Sequence, residues 1–238
     1  MLTLRKQWFK PTAAEMLWYL SGSTNVEGLH AHDVHVWDQW ATPETAGTLG
    51  WRDGELGPIY GAQWRDFGGR VYKPGIIEHV KGFDQISYIL KLLRENPHSK
   101  RGRVVGWNTP DMERCFVATC HGDLFFSVLG EQLHMEMVQR SGDAPIGVPF
   151  NTAAYALLLL MFAQCLSLQP GVFSHHIWDA HVYEDQEDGV RAMLQREPKT
   201  YPTLKINPDV TDMFAFTLDD FELVGYDPHP VIRIPVAT

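Results

Sequence analysis

The chain has 238 residues, 45% of them hydrophobic and 21% charged, enough apolar material for one soluble globular domain with a full core. A formal charge of -9 argues against a surface that coats nucleic acid, while leaving room for a local basic pocket that takes one phosphate. The three cysteines, Cys115, Cys120 and Cys165, lack metal-type spacing and indicate neither a disulfide framework nor a zinc site; Met1 to Pro11 has no apolar leader and no segment has bilayer length, so a cytoplasmic protein without a membrane partner is expected.

Leu4 to Lys10 leads through Pro11 and Thr12 into a helix expected over Ala13 to Leu20, where Thr12 and Glu15 have the spacing of a capping box. Val26 to Asp38 reads as a helix or turn that ends in a short strand. His30, His32 and His35 fall inside it, but no carboxylate or cysteine arrangement accompanies them in the spacing, so no metal is expected. Trp37 and Trp40 read as cavity walls. Thr42 to Leu56 and Phe67 to Lys81 read as loops, separated by a tight backbone approach at Gly57 to Tyr60. Within Phe83 to Glu95, Ile86, Ile89, Leu90, Leu92 and Leu93 have helical spacing, with Asp84 early and Arg94 late as the helix dipole prefers. The basic cluster Lys100-Arg101-Gly102-Arg103 precedes a strand expected over Val104 to Asn108.

The densest chemistry runs from Ala118 to Tyr155. Cys120 follows a strand-like run, Cys115 to Thr119, and stands beside His121. Leu124 to Gln139 alternates around Leu129, Gly130 and Glu131 as a β-hairpin does, which returns Arg140 to the neighbourhood of Cys120. A guanidinium near a thiol favours the thiolate, the nucleophilic form, and its fork also suits phosphate or carboxylate. The plainer reading of Cys120 is a small buried hydrophobe. Ser141, Gly142, Asp143, Pro145, Gly147 and Pro149 mark a loop. Asn151 then opens an apolar helix, Thr152 to Leu166, shorter than the roughly 18 residues of a bilayer span. Asn151 serves either as its N-cap or, through one acceptor and two donors, as a match for the N3-H and O4 edge of a uracil. Beyond it, Ser174 to Tyr183 reads as a strand with His181 and Tyr183 on one face, Gln186 to Gln195 as an amphipathic helix, and Thr203 to Ile206 and Phe221 to Val224 as strands. No repeat or linker divides the chain, so residues 1–238 form one domain.

The ordered set Cys120-His121, Gln139-Arg140-Ser141, Asp143, Gly147, Pro149-Phe150-Asn151 and Ala154 to Leu158 resembles the core signature of the folate-dependent thymidylate synthases. The likeness covers most of the chain: Glu15 to Trp18, Gly22 to Asn25, Trp37-Asp38, Gly57 to Gly61 and Gln63-Trp64-Arg65 lie upstream, and Asp179, His181, Tyr183, Gly225 to Pro230 and Pro235 to Thr238 downstream. The resemblance implies an α+β, single-domain thymidylate-synthase-like fold, with a mixed or antiparallel sheet and a long buried central helix. It implies transfer of a one-carbon unit from 5,10-methylenetetrahydrofolate, with no metal, to C5 of a pyrimidine nucleotide, foremost dUMP to dTMP.

By the same resemblance Cys120 is the nucleophile, Asn151 holds N3-H and O4, Glu15 and His121 serve the polar network at O4, and Tyr60 belongs to the proton relay around C5. Arg140 and Ser141 bind phosphate, His181 and Tyr183 the ribose 3'-hydroxyl, and Trp37, Asp143, Gly147 and Ala237 the folate side. Lys100 and Arg101 occupy the places of two arginines that reach the phosphate of a neighbouring subunit, which implies a homodimer with shared sites. The chain departs from the family pattern in starting late, without the loop whose arginine clamps phosphate, so that Arg5 is a candidate recruit. Phe125 replaces a usual glutamine, Thr119 a proline, and Ile177-Trp178 a glycine pair. Two alternatives to methylation remain: hydroxymethylation, with water in place of hydride as in the related pyrimidine nucleotide hydroxymethylases, and a catalytically weak nucleotide-binding protein.

Overall fold

The computed structural model describes residues 2–73 and 76–236. Helix α1 spans Phe9–Ser21 and begins a turn ahead of expectation, because Pro11 sits comfortably in a first turn where its missing N–H has no partner to lose. Thr12, expected as a cap, is therefore inside the helix, with its hydroxyl donating to the Trp8 carbonyl at 3.0 Å. Helix α2 (Glu27–His30) is one turn, and turns rather than a strand follow it to Asp38. The expected loop from Thr42 contains α3 (Pro43–Leu49): Thr42 Oγ1 accepts from the Thr45 N–H at 3.2 Å and Pro43 holds N1, a start signal that outweighs the loop-like composition. Gly57 has φ +80° and lies where a Cβ would run into the Arg114 carbonyl, so the tight approach expected before α4 (Gly61–Arg65) is present.

Phe67 to Lys81 was expected as loop and carries two short antiparallel strands, β1 (Arg70–Lys73) and β2 (Ile76–His79). Helix α5 (Gln85–Glu95) buries Ile86, Ile89, Leu90 and Leu93, the spacing expected, and Asp84 caps it by accepting from Ser87 N–H at 3.0 Å. Strand β3 shrinks to Arg103–Val104, since the Gln85 side chain takes over the next backbone position, accepting from Val105 N–H at 2.9 Å and donating to its carbonyl at 2.8 Å. After the single turn α6 (Thr109–Met112) come β4 (Asp123–Leu129) and β5 (Gln132–Asp143). Leu129 pairs with Gln132, so Gly130, at φ +61°, and Glu131 make the two-residue turn, a conformation in which glycine is unstrained.

Helix α7 (Gly147–Cys165) starts before the expected Thr152. Asp143 Oδ1 accepts from Ile146 N–H at 3.0 Å, and Pro149 again fits a first turn. Asn151 is thus in the second turn, not the cap. At 19 residues α7 is long and apolar enough to cross a membrane, so length does not decide its place; packing against α1, β5 and β6 does. Tyr155, Leu158, Met161 and Phe162 are each fully buried, worth about 2 kcal/mol apiece in removed apolar surface.

β6 (Gln169–His181) returns parallel to β5 and completes a mixed sheet of order β3-β4-β5-β6 whose other pairings are antiparallel. Helix α8 (Glu187–Leu194), β7 (Thr203–Ile206) and β8 (Phe221–Val224) follow as expected. The single-domain α+β architecture with a buried central helix is the one the sequence implied.

Candidate active site

The far ends of β5 and β6, α1 from Pro11 to Tyr19, Tyr60 just ahead of α4, the start of α7 and the segment before β4 meet around a cavity of about 720 Å³, the size of a small-molecule site. Glu15, Trp37, Tyr60, Cys120, His121, Ser141, Asp143, Gly147, Asn151, His181 and Tyr183 all line it. These residues were singled out from the sequence. Arg140 is exposed and is not among the lining residues, Lys100 and Arg101 are exposed in the turn before β3, and Ala237 falls outside the described residues, although its neighbour Val236 lines the cavity.

Cys120 is not on a strand: Cys115 to Thr119 is irregular. Its position is set by its backbone, whose carbonyl accepts from Arg140 N–H at 2.8 Å and whose N–H donates to the Tyr60 hydroxyl at 3.1 Å. Thr119, in the place of a proline, is buried and donates to the Gly106 carbonyl at 3.2 Å. Arg140 is tied to the same segment, Nε to the Thr119 carbonyl and Nη2 to the Ala118 carbonyl, both at 2.9 Å, and brings Nη2 to 3.6 Å from Cys120 Sγ. The expected pairing is present, but its electrostatic result differs. Burial pushes the Cys120 thiol up, and Arg140 only partly offsets it. Alkylation of the unliganded protein by iodoacetamide is therefore expected to accelerate with pH beyond the ordinary thiol range. A rate already level at pH 7 would show that Arg140 outweighs burial.

His121 is neutral. Burial, then the neighbouring His175, holds its imidazolium down to about 3. Asn151 Nδ2 donates to His121 Nε2 at 3.0 Å, which leaves the ring proton on Nδ1, 2.7 Å from the Tyr155 hydroxyl. The Asn151 amide is fixed from its other side by Gln139, whose Nε2 donates both to the Ser141 carbonyl at 2.8 Å and to Asn151 Oδ1 at 3.1 Å. A backbone carbonyl cannot turn round, so Ser141 sets Gln139, and Gln139 sets Asn151. His175 Nε2 in turn donates to Gln139 Oε1 at 2.8 Å. Gln139, Tyr155 and His175 were given no role from sequence. Gln139 did carry a signal, for it occupies the inward position after Leu133, Met135 and Met137, where a polar residue interrupts an apolar alternation.

Tyr60 has φ +27°, a conformation that costs a non-glycine residue roughly 1–3 kcal/mol and is concentrated at functional sites. Its ring lies against Tyr19 at 4.8 Å and His121 at 4.5 Å, which also approach each other to 6.4 Å. The Glu15 carboxyl accepts from Trp37 Nε1 at 2.7 Å; burial pushes it up, and the Trp37 bond acts in the opposite direction. Asp143 Oδ2 accepts from Gln186 Nε2 at 2.9 Å, and the same nitrogen donates to the Pro235 carbonyl at 3.0 Å. The fully buried Gln186 thereby ties the chain's last described residues to the cavity wall, a role the sequence did not reveal. Arg5, the candidate recruit for phosphate, is buried, donates to the Pro145 carbonyl at 2.5 Å and faces Asp143, so it does not join Arg140.

The same fold brings the Asp38 carboxylate against His30 and His35, which supplies the acidic partner that linear spacing withheld from this histidine group.

The model of one protein family, thymidylate synthase, matches residues 1–238, the whole of the chain whose cavity has just been described. The chain belongs to the thymidylate synthase family. Thymidylate synthases carry out folate-dependent methylation or hydroxymethylation at C5 of a pyrimidine nucleotide, use methylenetetrahydrofolate as cosubstrate, bind dUMP and folate, and are typically dimeric. In this thymidylate synthase homologue the cavity wall carries Trp37 and Trp40, their rings 5.3 Å apart, and the Asn151 amide held between Gln139 and His121.

Proposed function

We propose that this protein catalyses reductive methylation of dUMP to dTMP, with Cys120 as nucleophile. The observation that carries the proposal is the fixed polarity of Asn151 in the same cavity wall as Cys120. With Oδ1 held toward Gln139 and Nδ2 toward His121, one lone pair of Oδ1 and one hydrogen of Nδ2 are left for a base. That pair matches N3-H and O4 of uracil and opposes cytosine, which presents an acceptor at N3 and a donor at N4.

In this reading the Cys120 sulfur adds to C6, the electron pair of the C5–C6 bond moves toward O4, and C5 becomes nucleophilic. Asn151 Nδ2 meets the developing charge at O4, with Glu15 nearby and neutral His121 holding the amide rather than giving up a proton. Tyr60, whose hydroxyl already receives the Cys120 N–H, belongs to the path by which the C5 proton leaves. Bound methylenetetrahydrofolate supplies the one-carbon unit and the hydride. Trp37 and Asp143 form its side of the cavity, with Gly147 adjoining, and His181 and Tyr183, their rings 5.0 Å apart, face the ribose. For phosphate, Ser141 and Arg140 act together: among the described residues no bond engages Arg140 Nη1, so this nitrogen is available.

Lys100 and Arg101 complete the phosphate site of a second subunit in a homodimer. In support, β6 leaves Val172 and Trp178 59% and 91% exposed on one edge of the sheet, apolar surface of the kind that subunits cover. Three unpaired cysteines suit the reducing cytoplasm.

Methylation is favoured over hydroxymethylation by Trp37, which is 8% exposed and walls the cavity where water would have to enter. Incubation with dUMP and methylenetetrahydrofolate, followed by mass spectrometry of the nucleotide, tests this. A gain of CH2 is expected, a gain of CH2O would establish the hydroxymethylase instead, and binding without product would leave a nucleotide-binding protein.

A further inference from the structure

At the rim of the cavity the Asp38 carboxylate receives two imidazoles, one on each oxygen. His30 Nε2 is 2.6 Å from Oδ1 and His35 Nδ1 is 2.8 Å from Oδ2, and the two rings lie 4.8 Å apart, tilted by 30°. One donor atom from each of the three residues falls within 4.8 Å of the others. Each of the three directly follows a residue anchored in the core: Leu29, Val34 and Trp37 are 1%, 2% and 8% exposed. The backbone between them is pinned as well, Asp33 N–H to the His30 carbonyl at 2.9 Å and Val34 N–H to the Leu29 carbonyl at 3.2 Å. The donors are held in place by the fold rather than gathered by chance on a free loop.

A second observation points the same way. Asp33 Oδ1 stands 3.4 Å from His35 Nε2, the nitrogen on the far side of the ring from Asp38. A carboxylate behind an imidazole, orienting the ring and strengthening its other nitrogen as a donor, is the usual outer partner of a metal-binding histidine. Asp33 reaches that place from a left-handed backbone, φ +58°.

We propose that His30 Nε2, His35 Nδ1 and an Asp38 oxygen bind one zinc ion, with Asp33 as the outer partner of His35. Zinc lies about 2.0–2.2 Å from such donors in a tetrahedron, which sets neighbouring donors about 3.3 Å apart. His30 Nε2, at 2.6 Å from Asp38 Oδ1, has to back away by about 0.7 Å as the ion replaces the shared proton, and the widest spacing in the donor set, 4.8 Å, has to close by about 1.5 Å. Two imidazole nitrogens select zinc and its transition-metal neighbours over magnesium and calcium, which prefer oxygen. A fourth coordination position is open, since the side chains of His30, His35 and Asp38 remain 39%, 56% and 43% exposed. His35 and Asp38 also line the cavity, so the ion would lie beside its entrance and stiffen the segment carrying Trp37. The site does not depend on the proposed reaction.

The test is calorimetric titration of zinc chloride into the full chain in a non-chelating buffer with a phosphine reductant. One zinc per chain is expected, with Kd of about 10 µM or tighter, weakened at least ~10-fold by His35→Ala or Asp38→Asn and unchanged by His32→Ala; magnesium chloride should give no binding heat. Affinity that is equal in the His35 variant would place the ion elsewhere, and no binding below about 100 µM would leave only hydrogen bonds to Asp38. X-ray absorption of the zinc-loaded parent decides independently of any variant's folding: two imidazoles with oxygen are expected, and sulfur in the first sphere would overturn the assignment.

Discussion

Cys120→Ser should lower kcat by at least about 10,000-fold while keeping the melting temperature within about 2 °C of the parent. The chemical loss is large because serine's hydroxyl is a far weaker nucleophile than sulfur, and no other thiol faces the cavity: Cys115 and Cys165 are buried elsewhere. The structural loss is small because the Sγ contacts are long, 3.6 Å both to the Ala118 carbonyl and to Arg140 Nη2. Activity within tenfold of the parent would remove Cys120 as the nucleophile. The same variant tests the shared site. Mixed with an inactive Arg101→Ala chain, it should recover about one quarter of the parental rate, since random reassortment makes half the dimers mixed and each mixed dimer carries one intact site. No recovery would place Arg101 outside the partner's phosphate site.

Asn151→Asp should move the ratio of kcat/KM for dUMP over dCMP by at least ~1,000-fold toward dCMP, about 4 kcal/mol. A carboxylate loses the donor that meets O4 and gains an acceptor for the N4 amine of cytosine. It also reverses the demand on His121. Where the amide donated to Nε2, the carboxylate needs a proton there, so the imidazole now held down to about 3 should either change tautomer or titrate upward. A histidine resonance titrating between pH 5 and 8 in the variant, absent in the parent, reports the second course. An unchanged substrate ratio would remove this side chain from base selection.

Much of the site was legible because its residues are rare types with few structural uses. A cysteine beside a histidine, then an arginine, an aspartate and an asparagine within one hairpin and helix start, narrow the chemistry even before any resemblance is considered. The hairpin itself followed from alternation around Gly130. The errors were local in origin. Loop-like composition hid α3 and the β1–β2 pair, because capping by Thr42 and cross-strand pairing are position-specific and leave composition unchanged. Prolines at 11 and 149 looked like helix limits and proved to be first-turn residues.

Side-chain identity and periodicity marked Cys120 and Asn151 as candidates for the nucleophile and the base-reading amide, and determined the central apolar helix and the hairpin that leads to it. The tertiary fold decided how those groups behave. It buried Cys120 enough to raise its thiol against the pull of Arg140, turned Asn151 one way through Gln139 and the Ser141 carbonyl, and carried Asp38 back onto His30 and His35. The reason is physical: protonation states and amide orientations depend on desolvation and on partners distant in the chain, and linear spacing contains neither.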